Sequence, residues 1–429
     1  HWNVVNYRRI RVDGSVFFII KYFSRNDHTG GTNMLSKQIQ IALKGNSVIR
    51  AMFNEGKEMA AKIGAENVYD FSLGNPATPA PASVNQAIKD AVDELDSMEL
   101  HGYMANAGYP DVRTAVAENL NKRFGTDFTF QNIIMTVGAA GGLNIILKTL
   151  LDPGDEVIVF APYFGEYRAY AGNFGGVIVE VAPNLEDFQP DLADFESKIT
   201  DKTKAVIINT PNNPTGVIYS DETMTQLGEI LSKKEQEYGH EIYLISDEPY
   251  RELVYDGAPV RFLTKFYHNT IVGYSFSKSL SLPGERIGYV VVPNEVTDAA
   301  DVQSGIEISN RQLGFVNAPS LIQKAVAKCL DEKTDVAYYD KNREYLYSEL
   351  TKLGFTCIKP QGAFYLWVKS PVADEEIFVQ AAKKHHILFV KGSAFACPGY
   401  VRIAYCTSYE KICRSMPAFE QLAADMGLR

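Results

Sequence analysis

The sequence predicts an α/β fold: a large domain with a mostly parallel central sheet flanked by helices, and a smaller α+β domain beside it. Three observations carry this. Between about residues 130 and 292, short β-branched runs alternate with helical stretches. The runs are continuously apolar and bounded by turn residues, as strands buried on both faces are. Residues suited to chemistry recur just after these runs, where an α/β sheet collects its ligands.

NIIMTV (132–137) is the first strand, followed by the helical AGGLNIILKTLL, a DPGD turn and EVIVF (156–160). GVIVEV (176–181) and KAVIINT (204–210) come next. The helical stretch DETMTQLGEILSKKEQEYG (221–239) leads into EIYLISD (241–247), TIVGYSF (270–276) and RIGYVVV (286–292). Helical connections between parallel strands imply right-handed crossovers. From about residue 335 the pattern changes to helices such as DVAYYDKNREYLYSELTKLG and short strands, GAFYLWV and YVRIAY. The expected division is a large domain over 81–334 and a small domain over 335–429, joined by residues 34–80. Residues 1–33 read as an irregular, basic extension, with the functional chain expected to begin near Met34. Its apolar run, SVFFII, is too short to span a membrane, and the segment lacks the layout of a signal peptide.

The chain has 429 residues, 46% hydrophobic and 22% charged, the composition of a soluble globular enzyme. Net charge is −10 with a pI near 5.3, and no basic stripe stands out, so nucleic acid is excluded as the main partner. Five cysteines (Cys329, Cys357, Cys397, Cys406 and Cys413) form no C-x-x-C pair, which predicts reduced thiols in the cytoplasm and no metal site.

SFSKSLSLPGER (275–286) raises the chemical question, because it places Lys278 among serines with Arg286 close behind. A Schiff-base lysine must lose its proton near neutral pH, which burial or nearby cations promote. Ser275, Ser277 and Arg286 would suit a phosphate next to it. Alone, the motif is weak, and a solvated surface lysine is the more common explanation of it. Its companions decide the matter. Asp247 ends a strand and is followed by Tyr250; a carboxylate there can keep a pyridine nitrogen protonated, although a turn cap is the simpler use. Asn213, in PNNPTG, offers an amide to a ring substituent. GAAGG (138–142) follows a strand and opens a helix, so the backbone of Gly138, Ala139 and Ala140 favours an anion. It fits neither common nucleotide-binding motif. Phe164 could stack on a flat ring or fill the core. Arg402 sits in an apolar strand and needs a carboxylate, from the protein or from a substrate.

Asn213-Pro214-Thr215-Gly216, Asp247-x-x-Tyr250, Ser275-x-Ser277-Lys278 with Arg286, and Arg402 occur in the order and approximate spacing of the class I/II aminotransferases. These are pyridoxal-phosphate (PLP) enzymes of fold type I, and the resemblance runs from about residue 48 to the end. It implies that Lys278 is the covalent cofactor lysine and Asp247 the partner of the pyridinium nitrogen. Tyr250 and Asn213 would bond the ring hydroxyl, Phe164 would stack on the ring, and Ser275, Arg286, Ala139 and Ala140 would hold the phosphate. Arg402 would grip the substrate α-carboxylate, while Gly74, in SLGNP, resembles the glycine that lets substrate approach. Tyr103, in HGYMANAGYP, resembles the tyrosine that reaches the phosphate of the neighbouring subunit, which implies a homodimer with shared sites. The implied reaction moves an amino group from an L-amino acid to a 2-oxo acid. Aspartate or glutamate with 2-oxoglutarate is the leading pair, and Arg311, near the position of a distal-carboxylate arginine though out of register, is its only support. Two other readings compete. A carbon–sulfur β-lyase of the same fold shares the cofactor residues; DEPY favours transamination. An effector-sensing regulator would need an N-terminal winged helix-turn-helix that an irregular 33-residue segment does not supply.

Overall fold

The structure, a computed structural model, describes residues 5–12, 15–22, 35–36, 39–40, 43 and 48–428. Two compact units separate at Ser47/Val48. In the first, strands β1 (Val5–Val12) and β2 (Ser15–Tyr22) form an antiparallel hairpin with Val12 opposite Ser15. This corrects the reading of residues 1–33 as irregular. Both runs are rich in β-branched and aromatic residues, and Asp13-Gly14 between them is a strong two-residue hairpin signal. The rest of that segment, with the expected start at Met34, lies outside the described residues.

The second unit opens with the helix Val48–Ile63 and the short strand β3 (Tyr69–Asp70). Seven strands then build the central sheet: β4 (Ile133–Thr136), β5 (Glu156–Phe160), β6 (Val177–Val181), β7 (Thr203–Asn209), β8 (Tyr243–Asp247), β9 (Thr270–Ser275) and β10 (Gly288–Val291). Their spatial order is β4-β10-β9-β8-β7-β5-β6. Pairs β5–β6, β5–β7, β7–β8 and β8–β9 are parallel. Every residue of β4, β8, β9 and β10 is buried, as continuous apolar runs require. The helices predicted after β4 and before β8 form as Gly138–Leu150 and Asp221–Tyr238. The second is capped by the Ser220 side chain and stopped by Gly239 in the left-handed region, φ 73°.

One expectation about the sheet fails. RIGYVVV was read as another parallel strand, but β10 runs antiparallel to both β9 and β4. The connection 276–287 carries a single helical turn, Phe276–Ser279, and is too short to cross the sheet. The antiparallel insertion has a useful result. β10 begins where β4 and β9 end, so its first residues join theirs at the same edge.

Beyond the large sheet, β11 (Cys357–Ile358), β12 (Tyr365–Lys369), β13 (Ile387–Leu388), β14 (Val390–Lys391) and β15 (Tyr400–Ala404) follow. Four of them form an antiparallel sheet ordered β11-β12-β15-β14, while β13 pairs in parallel with β3. A shared core joins Met52, Val68 and Phe71 to Phe364, Leu366, Phe378, Phe389 and Phe419. Residues 48–80 are therefore packed into the C-terminal region, and they lead the chain across the edge of the large sheet.

Candidate active site

Five strand ends and one strand start converge at that edge. At the end of β4, Val137 caps the helix Gly138–Leu150 without a side-chain hydrogen bond, so the first backbone N–H groups stay available. Gly138 is obligatory: its φ is +76°, and a Cβ there would lie 3.0 Å from Arg286 Nη2. Arg286, just before β10, is exposed and donates from Nη1 to Pro283 O at 3.0 Å. Ser275, the last residue of β9, pairs with Gly288. Its Oγ accepts from Ser277 N at 3.2 Å and donates to Ser277 Oγ at 2.8 Å. Helix N-terminus, guanidinium and two hydroxyls thus form an anion cradle.

Lys278 rises from the helical turn beside this cradle. Its Nζ donates to Gly74 O at 2.6 Å. Burial lowers its pKa to about 8; the charges of Arg402 and Arg286 act in the same direction, against the opposing pull of Cys406. Asp247 ends β8 and is buried. Its Oδ2 accepts from Tyr167 Oη at 2.6 Å, whereas Oδ1 has no hydrogen-bond partner. Burial pushes its pKa up to about 7, with the Tyr167 hydrogen bond opposing and Glu248 adding to the rise. Asn209, opposite Asp247 in β7, braces two segments: it donates to Asp247 O at 2.8 Å and accepts from Asn213 N at 2.7 Å.

Arg402 reaches in from β15, almost wholly buried. Nη1 donates to Asn213 Oδ1 at 2.9 Å and Nη2 to Ser72 O at 2.6 Å, while Nε has no partner. No protein carboxylate pairs with it among the described residues, which leaves a substrate to supply one. Its guanidinium lies over the rings of Tyr365 (4.4 Å) and Phe395 (4.9 Å). Tyr250, buried, shares a 2.8 Å hydrogen bond with Tyr365 Oη. Gly74 is hemmed in as well, since a Cβ there would stand 2.1 Å from Tyr365 Oη. The segment 72–78 that carries Ser72 O and Gly74 O is held further on, where Ala77 N and Thr78 N donate to Tyr339 Oη at 3.1 and 3.3 Å.

Phe164, half-buried, meets Tyr167 edge-on at 5.7 Å. Two residues stand apart. Tyr103 is 96% exposed. Arg311 is exposed in the last turn of the helix Ala299–Gln312, with no ion pair among the described residues. Sequence reasoning missed Tyr167, Asn209, Ser72 and Tyr365. Tyr167 ends PYFGEY, which follows the strand run EVIVF, and Asn209 stands two residues before PNNPTG, near the end of KAVIINT. Ser72 and Tyr365 have no comparable signal, since only tertiary pairing brings them to Arg402.

A lysine amine kept near neutrality beside an anion cradle suits amine–carbonyl chemistry. The sheet and the strands around it have the layout of fold type I, the fold of the solved aminotransferases. The comparisons give the family. The profile for aminotransferase class I and II matches residues 66–415, and the chain belongs to that family. It is 35% identical to a probable aspartate/prephenate aminotransferase from Thermus aquaticus, over 82% of this chain and 90% of the relative. It is 30% identical to the aspartate aminotransferase of Thermotoga maritima, over 87% and 96%. Among solved structures, an amino transferase from Eubacterium rectale is similar with a TM-score of 0.89 and 48% identity, covering 92% of this chain and 99% of that one. The aspartate aminotransferase of Thermus thermophilus with maleate gives 0.80 and 28%, covering 91% and 100%.

Proposed function

We propose that this aminotransferase binds pyridoxal 5'-phosphate through Lys278 and moves an amino group from an L-amino acid to a 2-oxo acid, as a cytoplasmic homodimer. Aspartate or glutamate with 2-oxoglutarate is the leading pair, because several relatives carry aspartate aminotransferase names. The carrying observation is the unpartnered Oδ1 of buried Asp247. An unsatisfied carboxylate oxygen inside a protein is costly unless a ligand completes it, and a protonated pyridine nitrogen is such a ligand. The remaining donors fit the same group. The cradle of Ala139, Ala140, Ser275, Ser277 and Arg286 suits the phosphate, and Phe164 the ring face. Tyr250 and the Nδ2 of Asn213, whose Oδ1 is committed to Arg402, suit the ring hydroxyl.

When bound, the cofactor supplies an electron sink for negative charge at the substrate Cα. Arg402 holds the α-carboxylate with Nε as the free donor, which fixes the direction of the Cα–H bond. Lys278 Nζ, lowered to about 8, takes that proton as a general base, and Gly74 O steadies the resulting ammonium. A β-lyase would use much of the same machinery. The aminotransferase names of the relatives favour transamination, and assaying 2-oxo acid formation against sulfide release separates the two.

Borohydride reduction of the holoenzyme should fix the cofactor to the peptide containing Lys278. The amine must be neutral to react, so cofactor capture by the apoprotein should accelerate as pH rises through about 8. Labelling of another lysine would refute the assignment. Half-reactions with a panel of amino acids would name the donor.

A further inference from the structure

Tyr365 has no role in the reading above, yet it touches three of the residues that reading depends on. It starts β12, opposite Ala404 and diagonal to Arg402. The Arg402 guanidinium lies 4.4 Å from its ring centroid. Its hydroxyl is 2.8 Å from that of Tyr250, and the same oxygen blocks any side chain at Gly74. The ring is 2% exposed, so these contacts are shielded from water.

We propose that Tyr365 is a positioning residue serving both halves of the site: its ring sets the plane of the Arg402 fork, and its hydroxyl donates to Tyr250, aiming the Tyr250 proton at the cofactor. This rests on the placement of the cofactor ring at Tyr250 and of the substrate carboxylate at Arg402. The first half follows from geometry. Among the described residues Arg402 has two protein acceptors, Asn213 Oδ1 and Ser72 O, which do not by themselves fix the tilt of a planar five-donor group. Stacking on the desolvated Tyr365 ring, the nearer of the two rings at 4.4 Å against 4.9 Å for Phe395, adds that restraint.

The second half follows from which phenol donates. Two hydroxyls in contact can share their hydrogen bond either way. The groups that bear on Tyr365 are Arg402, Cys406 and Tyr250. Each phenol has a single proton, and with that of Tyr250 given to the ring oxygen, only Tyr365 can donate to the 2.8 Å bond between them. Tyr365 therefore donates, Tyr250 accepts, and the Tyr250 proton stays free to point at a ring oxygen.

Two variants separate the halves. Tyr365→Phe keeps the ring and removes the hydroxyl. Tyr365→Leu removes both. Each holoenzyme is titrated with pH to follow the cofactor absorbance, and with succinate and 3-phenylpropionate to obtain carboxylate dissociation constants. In Tyr365→Phe the midpoint of the absorbance titration should move to higher pH, because a lost donor no longer favours negative charge on the ring oxygen. Carboxylate binding should stay within about twofold. In Tyr365→Leu both carboxylates should bind roughly tenfold more weakly as well. An unchanged midpoint in Tyr365→Phe overturns the relay, and unchanged carboxylate affinity in a folded Tyr365→Leu overturns the stacking role. Should the leucine variant fail to fold, Tyr365→Met, which keeps volume without a ring, gives the same readout. The underlying reading fails separately: a wild-type protein that gives no borohydride-fixed cofactor on Lys278 refutes that reading, whereas a labelled wild type with unaltered variants refutes only the role of Tyr365.

Discussion

Asp247 divides its work between two oxygens, one held by Tyr167 at 2.6 Å and the other left for a ligand. The phenol of Tyr167 is buried and its pKa is raised, so it remains a donor, and its hydrogen bond favours the ionised carboxylate. Tyr167→Phe should therefore let the Asp247 pKa climb further above about 7. A hydrogen bond to a charged group is worth ~1.5–3 kcal/mol. Cofactor affinity, measured by equilibrium dialysis, should then fall by roughly tenfold or more. Because the carboxylate would ionise only at higher pH, the acid limb of the pH–rate profile should also move upward. An unmoved limb would show that Tyr167 is only packing. At this scale the sequence exposed the residues that end strands or sit in turn motifs, namely Lys278, Asp247, Asn213 and the Gly138 loop. It hid their supports. Tyr167 meets Asp247 across 80 positions and Ser72 meets Arg402 across 330, and no local pattern encodes such a meeting.

At the scale of elements, the antiparallel β10 is what assembles the cradle. Gly288 pairs with Ser275 on one side and Thr136 on the other, and a Cβ at Gly288 would lie 3.2 Å from Gly138 Cα. The apolar run of β10 was legible, but its direction was not, because a buried run reads the same both ways. Only the short connection 276–287 carries that information. The β1–β2 hairpin is obscured for a different reason: its Asp-Gly signal is a single dipeptide within a segment whose overall basic character reads as irregular. Gly138→Ala tests the cradle. Left-handed backbone costs an alanine ~1–2 kcal/mol, and the new methyl would press on Arg286. Loss of about that much stability in urea unfolding is expected, together with a cofactor dissociation constant raised about tenfold. Gly125→Ala, at φ 66° with open space around it, should show the stability loss without the cofactor effect. Equal cofactor binding in the two variants would remove Gly138 from the cradle.

For the whole molecule, Tyr103 is 96% exposed in the single chain, and the proposed homodimer would set it against the neighbouring subunit's phosphate. Mixing Lys278→Ala subunits with Tyr103→Phe subunits at limiting cofactor should restore activity that neither homodimer has, because a shared site collects both defects in one pocket and leaves the other native. No recovery in a verified heterodimer would place Tyr103 in its own subunit. Lys278 itself sits on the turn between β9 and β10, two strands buried at every residue, whereas residues 72–78 cross the site held largely by hydrogen bonds that involve side chains. Amide deuteration should report that contrast: β9 and β10 among the slowest to exchange, and 72–78 faster. Traffic through the site is then a matter of a thin strap breathing over an anchor that stays still.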